Sequence, residues 1–83
     1  MNIENILIEG TNTLKQSGVS NPQLDCEILL SNSINKDKKY IILNPKQILN
    51  DGQLNDFKSL IEKRKKGEPI AYLINKKEFW NDE

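Results

Sequence analysis

Between Arg64 and Trp80 the chain reads Arg-Lys-Lys-Gly-Glu-Pro-Ile-Ala-Tyr-Leu-Ile-Asn-Lys-Lys-Glu-Phe-Trp, and this run dictates where the polypeptide must turn. Gly67 sits where a helix has to stop with φ > 0, a conformation in which any other residue suffers a Cβ clash. Pro69 forbids continuation of that helix, and its fixed φ suits it to start a new short turn. Ile70, Tyr72, Leu73 and Ile74 give the new turn an apolar surface. Beyond it stand Phe79 and Trp80, and large aromatics near a terminus need a partner surface to cover them. The segment reads as a helix stop, a short helix and the front end of something longer.

Upstream, the spacing of apolar residues predicts helices. Ile3, Ile6, Leu7 and Leu14 recur at helical period, and Gly18 followed by Val19 closes that helix as a C′ glycine with its hydrophobic contact. Gly10 lies on the same side and marks either a close approach by another helix, the favoured reading, or a weak point. A second helix opens in Ser20-Asn21-Pro22-Gln23, with two readings one residue apart. Either Ser20 and Gln23 form a capping box, or Asn21 caps with Pro22 at N1. Leu24, Ile28, Leu29, Leu30 and Ile34 spread widely around this helix, which is therefore expected to be the most buried element.

Asp37 begins a short third helix through Tyr40, Ile41, Ile42 and Leu43, ended by Asn44-Pro45. The β-branched pair Ile41-Ile42 makes a strand the rival reading, but no second strand candidate exists to pair it. Pro45 to Asn50 is expected to add a loose turn. Asp51 is expected to cap the longest helix, with Leu54, Phe57, Leu60 and Ile61 on one face. The fold class is all-α: a small bundle of about five helices, four main ones and a short C-terminal turn, covering residues 1–74. Residues 75–83 read as the start of a linker.

Two stretches carry a resemblance. Leu24-Asp25-Cys26-Glu27-Ile28-Leu29-Leu30 is similar to the Leu-Asp-Ala-Glu-hydrophobic-Leu-Leu stretch of the HemK/PrmC family of release-factor glutamine methyltransferases, with Cys26 in place of Ala. Arg64, Gly67, Glu68, Pro69, Ala71, Tyr72, Glu78 and Phe79 fall at the spacing of that family's second stretch. Asn75 departs from it, standing where the family usually has Gly; Asn is the next most tolerant residue of φ > 0. Both stretches occur in order, roughly 40 residues apart. The resemblance implies a domain placed ahead of a methyltransferase domain. Its parent activity would be methyl transfer from S-adenosylmethionine to the glutamine amide of the Gly-Gly-Gln motif in peptide-chain release factors. The expected partners are the release factor and the C-terminal methyltransferase domain, and the expected role is substrate recognition.

The chain lacks what that chemistry requires. The family binds its cofactor through a Gly-rich loop and grips the amide with Asn-Pro-Pro-Tyr. Here Asn21-Pro22 and Asn44-Pro45 do not continue as Pro-Tyr, and Gly10, Gly18, Gly52 and Gly67 are too scattered to cradle a nucleotide. There is no histidine to serve as a general base and no Cys/His cluster for zinc. No catalytic, cofactor-binding or metal residue is assigned, and the chain alone is not expected to be an enzyme. Twelve basic against twelve acidic side chains argue against a general nucleic-acid binder. The lone Cys26 fits a reducing compartment, no apolar run approaches bilayer length, and a cytoplasmic protein is expected. Two other classes stay open: a free-standing helical adaptor, and an RNA- or ribosome-associated module.

Arg64 breaks the amphipathic pattern of its helix by falling on the core side. A buried guanidinium needs a carboxylate, and Asp25, Glu27 and Glu68 are the candidates; the alternatives are a head that snorkels to water and a direct partner contact. Lys63, Lys65 and Lys66 sit in a last helical turn, where positive charge meets the negative end of the dipole. Lys36, Lys38 and Lys39 form a second cluster, and both clusters are read first as solvated faces. Tyr40 and Tyr72 are read as core-edge residues. Phe79 and Trp80 are read as inter-domain packing groups.

Overall fold

A computed structural model describes residues 1–74 as five helices: α1 (Ile3–Gln16), α2 (Pro22–Ile34), α3 (Lys38–Leu43), α4 (Asp51–Lys65) and α5 (Ile70–Ile74). There is no strand among the described residues, only an isolated antiparallel bridge between Asn2 and Ile48, so the all-α reading holds. α2 is the hub and packs against each of the other four helices. It sends Cys26, Leu29 and Leu30, all 0 % exposed, into the core.

Helix ends follow local chemistry. After α1, Gly18 takes φ +87°, its N–H donates to Lys15 O at 3.1 Å, and the Val19 N–H donates to Leu14 O at 3.1 Å. α4 ends the same way: Gly67 has φ +100°, its N–H donates to Arg64 O at 3.0 Å, and the Glu68 N–H donates to Lys63 O at 3.2 Å. Each end satisfies carbonyls the helix itself leaves unpaired. α2 starts with Asn21 at the N-cap and Pro22 at N1, without a side-chain cap bond, which decides between the two sequence readings. Asp37 caps α3 by accepting the Tyr40 N–H at 2.9 Å.

Two expectations fail at the α3–α4 connection. The cap of α4 is Asn50, not Asp51: Asn50 Oδ1 accepts the Gln53 N–H at 2.8 Å, and Gln53 Oε1 accepts the Asn50 N–H at 3.1 Å. Only the Asn50-x-x-Gln53 spacing supplies both halves of this reciprocal box. Residues 45 and 46 do turn, with the Gln47 N–H donating to Asn44 O at 3.2 Å, but the stretch 45–50 is not loose. Gln47 O accepts the Ile3 N–H and Pro45 O the Glu4 N–H, each at 2.9 Å, while the Leu49 N–H donates to Met1 O at 3.3 Å. The connection thus supplies acceptors to the first turn of α1, whose N–H groups have no partner within the helix. Leu49 is buried beneath it.

The core faces are narrower than the periodicity suggests. On α4, Phe57 and Ile61 are buried, whereas Leu54 and Leu60 are only partly so. Leu24 in α2 is 43 % exposed. With α2 advancing about 100° per residue, Leu24 lies roughly opposite Cys26, which occupies the packed side. Gly10 provides the close approach the sequence favours. A Cβ built there would lie 2.6 Å from Cys26 Sγ and 2.9 Å from Phe57 Cζ.

Candidate functional site

The two stretches that stood apart in sequence meet in space. Asp25 lies near the start of α2 and Arg64 in the last turn of α4, and Arg64 Nε donates to Asp25 Oδ2 at 3.0 Å. The same guanidinium donates from Nη1 to the backbone carbonyl of Glu68 at 3.1 Å. One side chain therefore ties α2, α4 and the α4–α5 turn together. The side chains of Arg64 and Asp25 keep 22 % and 12 % of their exposure, so the pair is neither a surface ion pair nor a fully dry one. Of the three candidate carboxylates, only Asp25 pairs with Arg64. Glu68 contributes its main chain, and Glu27 faces Lys38 at 3.8 Å while accepting from Gln23 Nε2 at 3.2 Å.

The remaining motif residues divide by role. Leu30 is core. Gly67 shapes the turn, and Pro69 O accepts the Tyr72 and Leu73 N–H groups at 3.1 Å to start α5. Leu24, Ala71 and Tyr72 face outward, Tyr72 at 64 % exposure. Tyr72 is therefore no core-edge residue, because Leu73 and Ile74 take the inward side of the five-residue α5. Tyr40 does sit at the core edge, its hydroxyl donating to Gln47 Oε1 and its ring under Lys36 Nζ at 5.1 Å. Asn75, Glu78, Phe79 and Trp80 lie outside the described residues.

A Gly67 substitution isolates the turn. A Cβ there would meet nothing within 4 Å, so Gly67→Val should cost about 1–2 kcal/mol, the penalty of φ > 0 for an L-residue and not of crowding. Chemical denaturation of the two chains measures it, and an unchanged midpoint would show that the turn tolerates a side chain.

The Cys26 thiol is buried, and that burial pushes it up to about 11, with Glu27 adding to the rise and a hydrogen bond with Thr11 opposing it. Such a thiol stays neutral and unreactive at neutral pH. No helix among the described residues is long and apolar enough to cross a membrane. The lysines are partly engaged within the chain: Lys36 over Tyr40, Lys38 with Glu27, Lys65 with Glu62 at 3.4 Å, and Lys46 with Glu4 at 3.3 Å.

What the periodicity missed is an apolar stretch on the α3–α4 side. Ile42, Leu43 and Ile48 are 60 %, 67 % and 66 % exposed, because α3 turns only Ile41 into the core. Concavities lie elsewhere on the described surface, lined by other residues. A cleft of about 230 Å³ runs between α1 and α4, and a groove of about 470 Å³ lies where α2, the start of α3 and α5 meet.

The same sequence pattern occurs in known proteins. The family model for the PrmC N-terminal domain matches residues 5–74. A bifunctional methyltransferase of Rickettsia bellii is 40 % identical over 98 % of this chain, which covers 15 % of that relative. The release factor glutamine methyltransferases of Aliivibrio fischeri and Salmonella typhimurium are 36 % and 38 % identical over 98 % of the chain, which covers 28 % of each. The chain thus spans less than a third of the length of these relatives. No solved structure matches it. With both motif stretches joined through Arg64 and the match running almost the length of the described bundle, this chain belongs to the PrmC N-terminal domain family.

Proposed function

We propose that residues 1–74 form the substrate-recognition domain of a protein-glutamine methyltransferase that modifies the Gly-Gly-Gln glutamine of peptide-chain release factors in the cytoplasm. Residues 75–83 begin the connection to the methyltransferase domain, with Phe79 and Trp80 at the contact between the two. S-adenosylmethionine and the amide-gripping residues belong to that following domain. The observation that carries this reading is the family match over residues 5–74, in a chain whose relatives include named release factor glutamine methyltransferases. The exposed Ile42, Leu43 and Ile48 support it, since exposed large apolar side chains suit a protein partner.

The division of labour follows from the reaction. An amide nitrogen is a poor nucleophile because its lone pair is delocalised, so the catalytic site must align it with the sulfonium methyl and stabilise the developing charge. A helical domain ahead of that site contributes contact area with a folded substrate and fixes its approach. Removing the corresponding bundle from the Aliivibrio fischeri relative should mainly raise KM for an intact release factor; a lost contact of about 1.4 kcal/mol gives a tenfold rise. A short glutamine-containing peptide, too small to reach the bundle, should be affected less. Equal losses on protein and peptide would mean that the bundle props up the catalytic fold, and would overturn the reading. Calorimetric titration of S-adenosylmethionine into this chain should give no binding heat.

A further inference from the structure

We propose that α3 and the 44–50 connection form a strap that lifts off α1 as one unit while α2 and α4 stay packed, held down by a clasp on the first turn of α1. From Asp37 to Asn50 only Ile41 and Leu49 are buried, whereas Ile42, Leu43 and Ile48 stand exposed. α3 packs chiefly on α2. A segment with so little apolar burial opens at a lower free energy than the core elements beside it.

What holds the strap is mostly polar and sits at its far end. Gln47 O and Pro45 O accept the Ile3 and Glu4 N–H groups, and the Leu49 N–H donates to Met1 O. The Asn2–Ile48 bridge lies between these bonds, and Lys46 Nζ stands 3.3 Å from Glu4 Oε1. Gln47 passes the hold on to α3. Its side-chain oxygen accepts the Tyr40 hydroxyl, and its N–H donates to Asn44 O at 3.2 Å. Asn44 Nδ2 in turn donates to Tyr40 O at 2.8 Å. Bonds that share residues in this way break together. The donors on α1 are first-turn N–H groups that the helix itself does not use, so α1 stays helical when the strap leaves. Asn2 keeps its own cap bond, accepting the Asn5 N–H at 2.9 Å. The strap also carries Ile42, Leu43 and Ile48, so in the functional reading above these side chains ride on the part of the bundle that moves.

Native-state hydrogen exchange, followed amide by amide, reads the unit. The Ile3, Glu4 and Leu49 amides should share one protection factor, about ten-fold or more below that of the Leu30 and Phe57 amides in α2 and α4. Gln47→Ala removes the acceptor of the Tyr40 hydroxyl, and should speed exchange at all three clasp amides by one common factor of about five, the worth of a single hydrogen bond. Ile61→Val lies outside the strap. It should speed the Leu30 and Phe57 amides about five-fold and leave the clasp amides unchanged. Three unequal protection factors, or a Gln47→Ala effect that misses Ile3 and Glu4, would mean independent fraying and overturn the proposal. Clasp amides as protected as Leu30 and Phe57, or accelerated with them by Ile61→Val, would mean that the strap opens only with the whole bundle, and overturn it as well. No release factor takes part, so the outcome is separate from that of the functional reading.

Discussion

Gly10→Val should cost about 3 kcal/mol or more and move the unfolding midpoint to much lower urea. Even the first added carbon has no room, with Cys26 Sγ at 2.6 Å and Phe57 Cζ and Cε2 at 2.9 and 3.3 Å. Both obstructing side chains are buried, Cys26 at 0 % and Phe57 at 4 % exposure. Overpacking of this kind costs about 1–3 kcal/mol, and valine adds two further carbons to the crowded position. A domain of this size has only about 5–10 kcal/mol in total. Gly10→Ala sets two effects against each other, because alanine gains about 1 kcal/mol in helix propensity over glycine. Its net cost should accordingly be near 1 kcal/mol. In a Cys26→Ala background the nearest obstruction is gone, and the cost of Gly10→Ala should fall by about 0.5 kcal/mol or more, a coupling typical of residues in contact. Urea titration of the four chains reads the cycle. A Gly10→Val chain as stable as the parent would show that α1 can move away from α2 and α4 without loss.

Gly10 also marks the boundary of what the sequence makes legible. A glycine on the apolar side of a helix signals that something approaches, yet the identity of Cys26 and Phe57 as the neighbours depends on how three helices cross. The helix ends were legible because their causes are local: Gly18, Gly67, Pro22 and Asp37 each act within one turn of themselves. Asn50 is legible too, since Asn50-x-x-Gln53 is a capping-box spacing, but the neighbouring Asp51 is an equally good cap residue by type and competes with it. By contrast, no local pattern reveals that the carbonyls of Pro45 and Gln47 serve α1 more than 40 residues upstream. Leu24 and Tyr72 are exposed for a related reason. Apolar residues surround α2 and α5 on several sides, so neighbouring helices decide which side is covered. The core position of Arg64 was expected from helical phase. Its choice of Asp25 over Glu27 and Glu68 required the crossing of α2 and α4.

That ion pair should be the second most sensitive point of the fold, with Arg64→Ala costing about 2–3 kcal/mol. Removing the guanidinium leaves the Asp25 carboxylate, in a residue only 8 % exposed, without its charged partner, and deprives the Glu68 carbonyl of a donor. Breaking a fully buried pair costs about 3–5 kcal/mol, and the 22 % exposure of the Arg64 side chain lets water recover part of that loss. Arg64→Lys keeps the charge but not the planar fork that reaches Asp25 and Glu68 O together, so it should recover only part of the stability. The decisive comparison is Asp25→Leu with Arg64→Leu. Each alone strands a charge or a carbonyl, whereas the double variant leaves no unpaired ion, and should be more stable than the sum of the single losses by about 1–3 kcal/mol. Denaturation midpoints and slopes for the four chains measure this coupling. Simple additivity would mean that Arg64 acts through the packing of its aliphatic stem, and that the link between the two motif stretches is steric and not ionic.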